Sequence, residues 1–407
     1  MATITPLCSS VFKQHAFFRL MTPTPPRETN PAFTYSPKIH QSLSLSTPTT
    51  MATITPLCSS VFKQHAFFRL MTPTPPRETN PAFTYSPKIH QSLSLSTAPN
   101  NKKHITLTAA ATPPTKEIFH EFDFFVVYTD GTVEVLRPTP AFVPPFELHI
   151  KDAEITTTNP RLTARLFLPK NHDNKKLPVV LYFHGSGFCS RSALGPEYTN
   201  HLADIANQSN VLAVSVEYSK FPARPPPACY KEALASLDWI ALHASGNGPE
   251  PWLNHHADLQ RVFVAGNSAG GNITHYVVSQ VGKTGPPKGI NVEGAIMVHP
   301  FFGGLGEDRQ WLYMCEDNEG PEDPRLKPAA EELNTFGCRR ALVCVAETDP
   351  LRPAGENFFR DLKNSSWGGR VELELNKGIG HSDQVYKPYD ENARLVVPRI
   401  ATFINQQ

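Results

Sequence analysis

Residues Ala265-Gly266-Asn267-Ser268-Ala269-Gly270-Gly271 carry a serine with a glycine two positions away on each side. An apolar strand segment, Arg261–Val264, runs into this stretch, and Ile273–Val281, with apolar residues at helical spacing, runs out of it. A strand that turns sharply into a helix holds the serine hydroxyl up and exposed, and small residues let such a turn close. The helix start adds N–H donors and a positive dipole end beside the reacting oxygen. Ser268 is therefore read as the nucleophile of an acyl transfer.

The partners of such a serine can be sought outward in both directions. Upstream, the apolar run Val179–Phe183 ends in His184-Gly185-Ser186-Gly187-Phe188. Acyl transfer builds negative charge on the carbonyl oxygen, and backbone N–H groups must point at it. The N–H groups of Gly185 and Ser186, with that of Ala269, are expected to form this oxyanion hole, and Gly187 can replace one of them. Downstream, a serine needs a base, and the base needs an orienting acid. In α/β-hydrolases these follow the nucleophile in the order acid, then histidine. Three histidines follow Ser268. His275 lies on the nucleophile's own helix, and His299 ends the next strand, which leaves too little chain for an acid between. His381, in Lys377-Gly-Ile-Gly-His381 after the strand Val371–Leu375, is the expected base. Ala341–Val345 runs into Ala346-Glu347-Thr348-Asp349-Pro350, so Asp349 is the expected acid, with Glu347 as the fallback and Asp323 assigned to a surface loop.

Short apolar runs at Val179–Phe183, Val211–Val216, Val262–Ala265, Ala295–Val298 and Ala341–Val345 look like buried parallel strands. Helical stretches such as Ala228–His243 lie between them. That alternation implies an open, mostly parallel α/β sheet covered on both faces, the α/β-hydrolase fold. Phe124–Tyr128 and Val133–Leu136 read as two strands around a turn at Asp130-Gly131, and Leu162–Leu168 reads as a half-exposed strand. The segments 117–145 and 301–330 lie outside the alternation and are expected to form a small cap. Other chemistries fit poorly. Gly282-Lys283-Thr284 resembles the end of a phosphate loop, but Val277 stands where its first glycine belongs. His255-His256 lacks the HExxH arrangement and reads as a solvated turn.

The first hundred residues have a different texture. Residues 1–47 recur unchanged at 51–97, and each copy holds 13 Ser/Thr and a single acid among four basic residues. Residues 1–100 thus carry +6, leaving −5 for the rest of a chain whose net charge is +1. Ser/Thr-rich, basic, acid-poor composition is that of an organelle transit peptide, and the apolar stretch Phe17–Met21 is too short for a secretory signal. Residues 1–112 are expected to be a disordered, duplicated plastid (chloroplast or amyloplast) leader, with the mature terminus between 100 and 117, on a catalytic domain spanning 113–407. A mildly acidic body weighs against nucleic acid as a partner, and no apolar run is long enough to suggest a membrane span. Seven cysteines without CxxC pairing read as reduced thiols rather than a disulfide framework or zinc site. No cofactor is needed, because a triad and backbone donors complete the chemistry.

Over roughly 117–407 the chain resembles the plant carboxylesterases of the hormone-sensitive-lipase-like α/β-hydrolase family. The resemblance rests on Tyr128–Glu134, Arg165–Pro169, Phe183–Phe188, Pro249–Leu253, Gly266–Gly271, Asp323–Pro328 and Trp367–Gly369. Pro249–Leu253, Gly270–Val277 and Val292–Pro300 are most similar to the tuliposide-converting enzymes of that family. This resemblance implies a plastid enzyme, a homodimer in the manner of its relatives, that acts on a small glucose ester whose acyl group carries its own hydroxyl. The products implied are a methylene lactone and glucose, formed by internal transesterification. General ester hydrolysis, a hormone-binding role and an isoflavanone dehydratase are the alternatives within the family. The hormone receptor of the family would have an apolar residue where this chain has His381. Three departures stand out: Asn267 where the family has Asp, Ser186 where it has Gly, and a shorter stretch from Pro300 to Trp311.

Overall fold

The computed structural model describes residues 116–136, 149–156, 161–172, 175–303 and 308–406. The chain divides into the units Met1–Ile105 and Thr106–Gln407, and every described residue belongs to the second. The expected leader, and residues 137–145 and 304–307 of the expected cap, lie outside the described residues.

Among the described residues eleven strands form two sheets. The first three, β1 (Ile118–Glu121), β2 (Phe125–Tyr128) and β3 (Val133–Val135), make a small antiparallel sheet in chain order. The others are β4 (Ile150–Thr156), β5 (Leu162–Phe167), β6 (Leu177–Phe183), β7 (Leu212–Glu217), β8 (Ala257–Asn267), β9 (Val292–Val298), β10 (Arg340–Ala346) and β11 (Arg370–Asn376). They form one sheet in the order β11-β10-β9-β8-β6-β7-β5-β4. Pairings from β11 through β7 are parallel, and β5 and β4 add antiparallel strands at one edge. This is the α/β-hydrolase architecture expected above.

Nine α-helices accompany the strands among the described residues. They are α1 (Pro196–Ser209), α2 (Ala228–Ala241), α3 (Pro251–His256), α4 (Ala269–Thr284), α5 (Asp308–Met314), α6 (Ala330–Leu333), α7 (Arg352–Asn364), α8 (Asp383–Tyr386) and α9 (Val396–Asn405). Successive residues of a strand point to opposite faces, which explains the continuous apolar runs. Val179, Leu181 and Phe183 pack with Ile273, Val277 and Val278 of α4 and with Phe358 of α7. Val180 and Tyr182 pack on the other face with Leu202 and Ile205 of α1 and Ile400 and Phe403 of α9. Each large side chain buried this way contributes about 1.5–3 kcal/mol.

The register brings the chemistry to one edge. Phe183 pairs with Gly266, Asn267 with Val298, and Ala346 with Asn376, so β6, β8, β9, β10 and β11 end together. The residues that follow those ends are His184–Phe188, Ser268, His299, Asp349 and His381.

Some expectations need correction. Leu162–Leu168 is not a half-exposed strand, because Arg165 is fully buried. Its guanidinium donates to both carboxylate oxygens of Asp152 at 2.7 and 3.0 Å and to Thr199 Oγ1 at 2.8 Å. Asp323 is not on a surface loop. It is fully buried, accepts from the backbone N–H of Glu319 and Arg325, and is paired with the Arg325 guanidinium at 2.6 Å. His255 and His256 close the short helix α3 rather than forming a turn.

Candidate active site

At the end of β8 the backbone turns so tightly that only glycine fits on either side of Ser268. A Cβ on Gly266 would lie 2.3 Å from the Gly270 carbonyl oxygen, and one on Gly270 would lie 1.9 Å from that of Phe183. Ser268 itself adopts φ 54°, ψ −121°, a region that costs a non-glycine residue about 1–3 kcal/mol. Neighbouring strands hold it there. Its N–H donates to the Val298 carbonyl at 2.9 Å, and its carbonyl accepts from Phe301 N at 3.0 Å. The strain stands the hydroxyl above the start of α4.

The structure brings Ser268, His381 and Asp349 together. His381 Nδ1 lies 2.7 Å from Asp349 Oδ2, and Nε2 lies 2.8 Å from Ser268 Oγ. A carboxylate only accepts, so Nδ1 carries the proton and Nε2 is left to accept from the serine hydroxyl. Asp349 is buried, and its other oxygen accepts the Leu351 N–H at 2.8 Å, just before α7. The loop bearing His381 is fastened to the acid's loop, because Thr348 donates to the Ile379 carbonyl through both its N–H and its hydroxyl. Glu347 points elsewhere and accepts the N–H of Gly378 at 2.8 Å. This arrangement can deprotonate the serine as it attacks a carbonyl, then return the proton to a leaving group.

One assignment to the oxyanion hole is wrong. The Gly185 N–H turns inward and donates to Asn267 Oδ1 and to Tyr198 OH, each at 2.9 Å, so it cannot meet a substrate oxygen. Gly187, held at φ 57°, and Ala269 line the cavity beside Ser268. Among the described residues no protein acceptor meets the N–H of Ser186, Gly187 or Ala269. Gly187, rather than Gly185, thus has an N–H free of protein acceptors beside Ser268. Nor does the Ser186 side chain narrow the pocket. Its hydroxyl lies 2.9 Å from Tyr218 OH, which in turn donates to the His184 carbonyl at 2.7 Å.

Two residues beneath the site escaped sequence reasoning in this role. Asn267 is fully buried; it accepts from Gly185 N and Tyr182 OH and donates to Ser382 Oγ at 3.0 Å. It thus ties the glycine loop after β6 to the loop after His381. His299, buried beneath His381, accepts the Ser382 N–H at Nδ1 and faces Asn376 Oδ1 with Nε2, both at 3.0 Å. Burial pushes its pKa down to about 4, keeping it neutral. The position of Asn267 inside the serine motif was the available signal. Replacing it with Ala is expected to destabilise the protein by about 1–3 kcal/mol, since it strands buried donors. Denaturant melts of the variant and the parent would measure this.

The serine opens into a cavity of about 440 Å³. Phe122, Phe124, Phe188, Phe301, Met314 and Leu351 form its apolar wall, and Glu121, Asp123, Arg309 and Gln310 give it a polar side. The small sheet and α5 meet over it, with the Phe122 and Tyr313 rings 5.3 Å apart. Buried Trp311 of α5 donates to Tyr230 OH, and Tyr230 donates to Asn272 of α4, so the covering segment is moored to the helix that follows Ser268.

Comparisons with known proteins agree with this geometry. Residues 180–384 match the family described as alpha/beta hydrolase fold. The chain is 35% identical over 312 residues to probable carboxylesterase 1 of Arabidopsis thaliana, spanning 70% of this chain and 98% of that protein. It is 38% identical over 275 residues to tuliposide A-converting enzyme b2, amyloplastic, of Tulipa gesneriana, spanning 63% of this chain and 72% of that one. Among solved structures, a hyperthermophilic esterase from Pyrobaculum calidifontis superposes with a TM-score of 0.52 at 26% identity, over 63% of this chain and 85% of that one. With a serine raised on a strained strand-to-helix turn and a plant carboxylesterase relative matched over 98% of its length, the chain belongs to the alpha/beta hydrolase fold family, among its plant carboxylesterase-like members.

Proposed function

We propose that this chain is a serine esterase acting on a small glucose ester, and that its preferred outcome is lactone formation rather than hydrolysis. The carrying observation is the hydrogen-bonded relay from Asp349 through His381 to Ser268 at the mouth of a largely apolar cavity. Ser268 Oγ attacks the ester carbonyl while His381 Nε2 takes its proton. The N–H groups of Ser186, Gly187 and Ala269 receive the developing oxyanion. Collapse of the tetrahedral intermediate breaks the ester C–O bond, and His381 returns the proton to the departing sugar oxygen. A hydroxyl on the retained acyl group then attacks the acyl-serine carbonyl, giving its proton to His381. Release of the lactone re-forms the Ser268 hydroxyl, and no water is consumed.

Intramolecular attack has the advantage of effective molarities that reach about 10⁵–10⁸ M for well-oriented groups. The aromatic wall, which offers few partners to a competing water, favours it further. Likeness to the Tulipa gesneriana enzyme supports a tuliposide as the substrate, and the composition of residues 1–112 supports a plastid location. The test offers the purified protein a p-nitrophenyl ester, a glucose ester with a free acyl hydroxyl, and a hydroxyisoflavanone. Glucose and lactone in equal amounts are expected from the second. Glucose with free acid would reduce the reading to ordinary ester hydrolysis. Turnover of the hydroxyisoflavanone alone would replace it with a dehydratase.

A further inference from the structure

The N–H groups of Ser186 and Gly187 can stabilise an oxyanion only if they are aimed at it. A peptide unit is planar, and both peptides here are trans, so each N–H points opposite to the carbonyl it is joined to. Whatever holds that carbonyl therefore aims the N–H. The Ser186 N–H is joined to the Gly185 carbonyl. That oxygen accepts from the Tyr198 hydroxyl of α1 at 2.9 Å and has His184 Nδ1 3.2 Å away. The Gly187 N–H is joined to the Ser186 carbonyl. This second oxygen accepts from the N–H groups of Cys189 and Ser190 at 3.2 and 3.1 Å and from Ser190 Oγ at 3.1 Å, with Cys189 Sγ 3.7 Å away.

Tyr198, His184, Cys189 and Ser190 are all buried, so both carbonyls are drawn inward and their N–H ends face the other way. The loop also stands close beside the nucleophile, since a Cβ added to Gly185 would lie 3.0 Å from that of Ser268. Resting on the esterase reading above, we propose that Tyr198 and Ser190 are positioning residues whose hydroxyls aim the Ser186 and Gly187 N–H groups at the oxyanion. A second buried tyrosine provides the contrast. Tyr218 OH meets the Ser186 hydroxyl and donates to the His184 carbonyl at 2.7 Å. The N–H joined to that carbonyl is Gly185's, which turns inward to Asn267. Tyr218 thus holds the same loop without aiming a donor of the hole.

The test compares p-nitrophenyl butanoate with its thionoester, in which sulfur replaces the carbonyl oxygen. Sulfur is larger and a weaker acceptor, so a well-aimed hole favours oxygen. The ratio of the two kcat/KM values therefore reads the aim of the donors rather than general damage. Tyr198→Phe deletes one buried oxygen, and the Gly185 N–H keeps Asn267 as its partner. It should lower kcat/KM for the oxygen ester by roughly tenfold, less than the 10²–10³-fold cost of losing a donor outright, and leave the thionoester nearly unchanged. Ser190→Ala leaves two N–H donors on its carbonyl and should lower the ratio by roughly threefold. Tyr218→Phe should keep the parent's ratio. A ratio unchanged in Tyr198→Phe, or in Ser190→Ala should the former not fold, would overturn the proposal, as would an equal fall in Tyr218→Phe. A parent without Ser268-dependent cleavage of the oxygen ester would overturn the esterase reading with it, whereas a parent that cleaves confines any failure to the aiming role.

Discussion

Replacing Ser268 with Ala is expected to lower kcat for ester cleavage by about 10⁶-fold while leaving the fold intact. Alanine removes only a hydroxyl from a position whose backbone is held by Val298 and Phe301, so circular dichroism and melting temperature should stay close to the parent's. Replacing His381 with Ala should cost about as much, and combining the two should cost little more, because residues that act as one unit lose their function together. Asp349→Asn should cost about 10⁴-fold. The amide can turn an N–H toward His381 Nδ1, which favours the tautomer whose Nε2 carries the proton and cannot accept from Ser268. Single-turnover kinetics with a p-nitrophenyl ester would measure all four variants. If Ser268→Ala kept a tenth of the parent's rate, or if the two alanine effects multiplied, the relay would not be the catalytic unit.

Some of this site could be read from sequence, and the rest could not, for identifiable reasons. The strands β6 to β10 announced themselves because both of their faces are buried, so their residues are apolar without interruption. Ser268, Asp349 and His381 could be picked out because each follows the end of a strand, and strand order constrains what lies at one edge. Partners distant in sequence carried no such signal. The inward turn of the Gly185 N–H depends on Asn267, 82 residues away, and on Tyr198. Burial of Arg165 depends on two other elements, on Asp152, whose carboxylate neutralises it, and on Thr199, whose hydroxyl accepts from it. Asp323 sits among Pro, Gly and charged residues that look like a surface loop, yet Arg325 and two backbone N–H groups satisfy it in the interior. For Gly185 and Arg165 the partner lies where local pattern cannot see it, whereas Asp323 is held by near neighbours in a turn whose composition gave no sign of its burial.

Acid is expected to unfold this protein in the window where histidine, rather than carboxylate, titrates. Among the described residues five histidines are buried, His184, His201, His243, His275 and His299, and burial lowers the pKa of each. Burial pushes the pKa of His184, His201 and His299 down to about 4, and that of His275 down to about 3. For a base, a folded pKa below the unfolded value means that the unfolded chain binds more protons in between. The stability these groups confer is therefore complete above about pH 6.5 and is lost as pH falls toward 4. At pH 5 each of the four other than His243 costs about 2 kcal/mol, and those four together approach the whole stability of a typical domain. Carboxylates held low belong to a more acidic window. Asp323 is one, since burial opposes its ionisation but bonds from Arg325 outweigh that. The site should yield early, because a proton on His299 Nδ1 would confront the Ser382 N–H that now donates to it, beside His381. Denaturant melts between pH 7 and 4.5 should show stability falling below pH 6.5 with a steepening slope. His275→Phe, which fits the surrounding rings of Phe302, Phe336 and Phe358, should reduce that slope by about 1.4 kcal/mol per pH unit. A stability that stayed flat from pH 7 to 5 would mean that these histidines find a proton-accepting partner in the folded state, and the interior described for them would then be wrong.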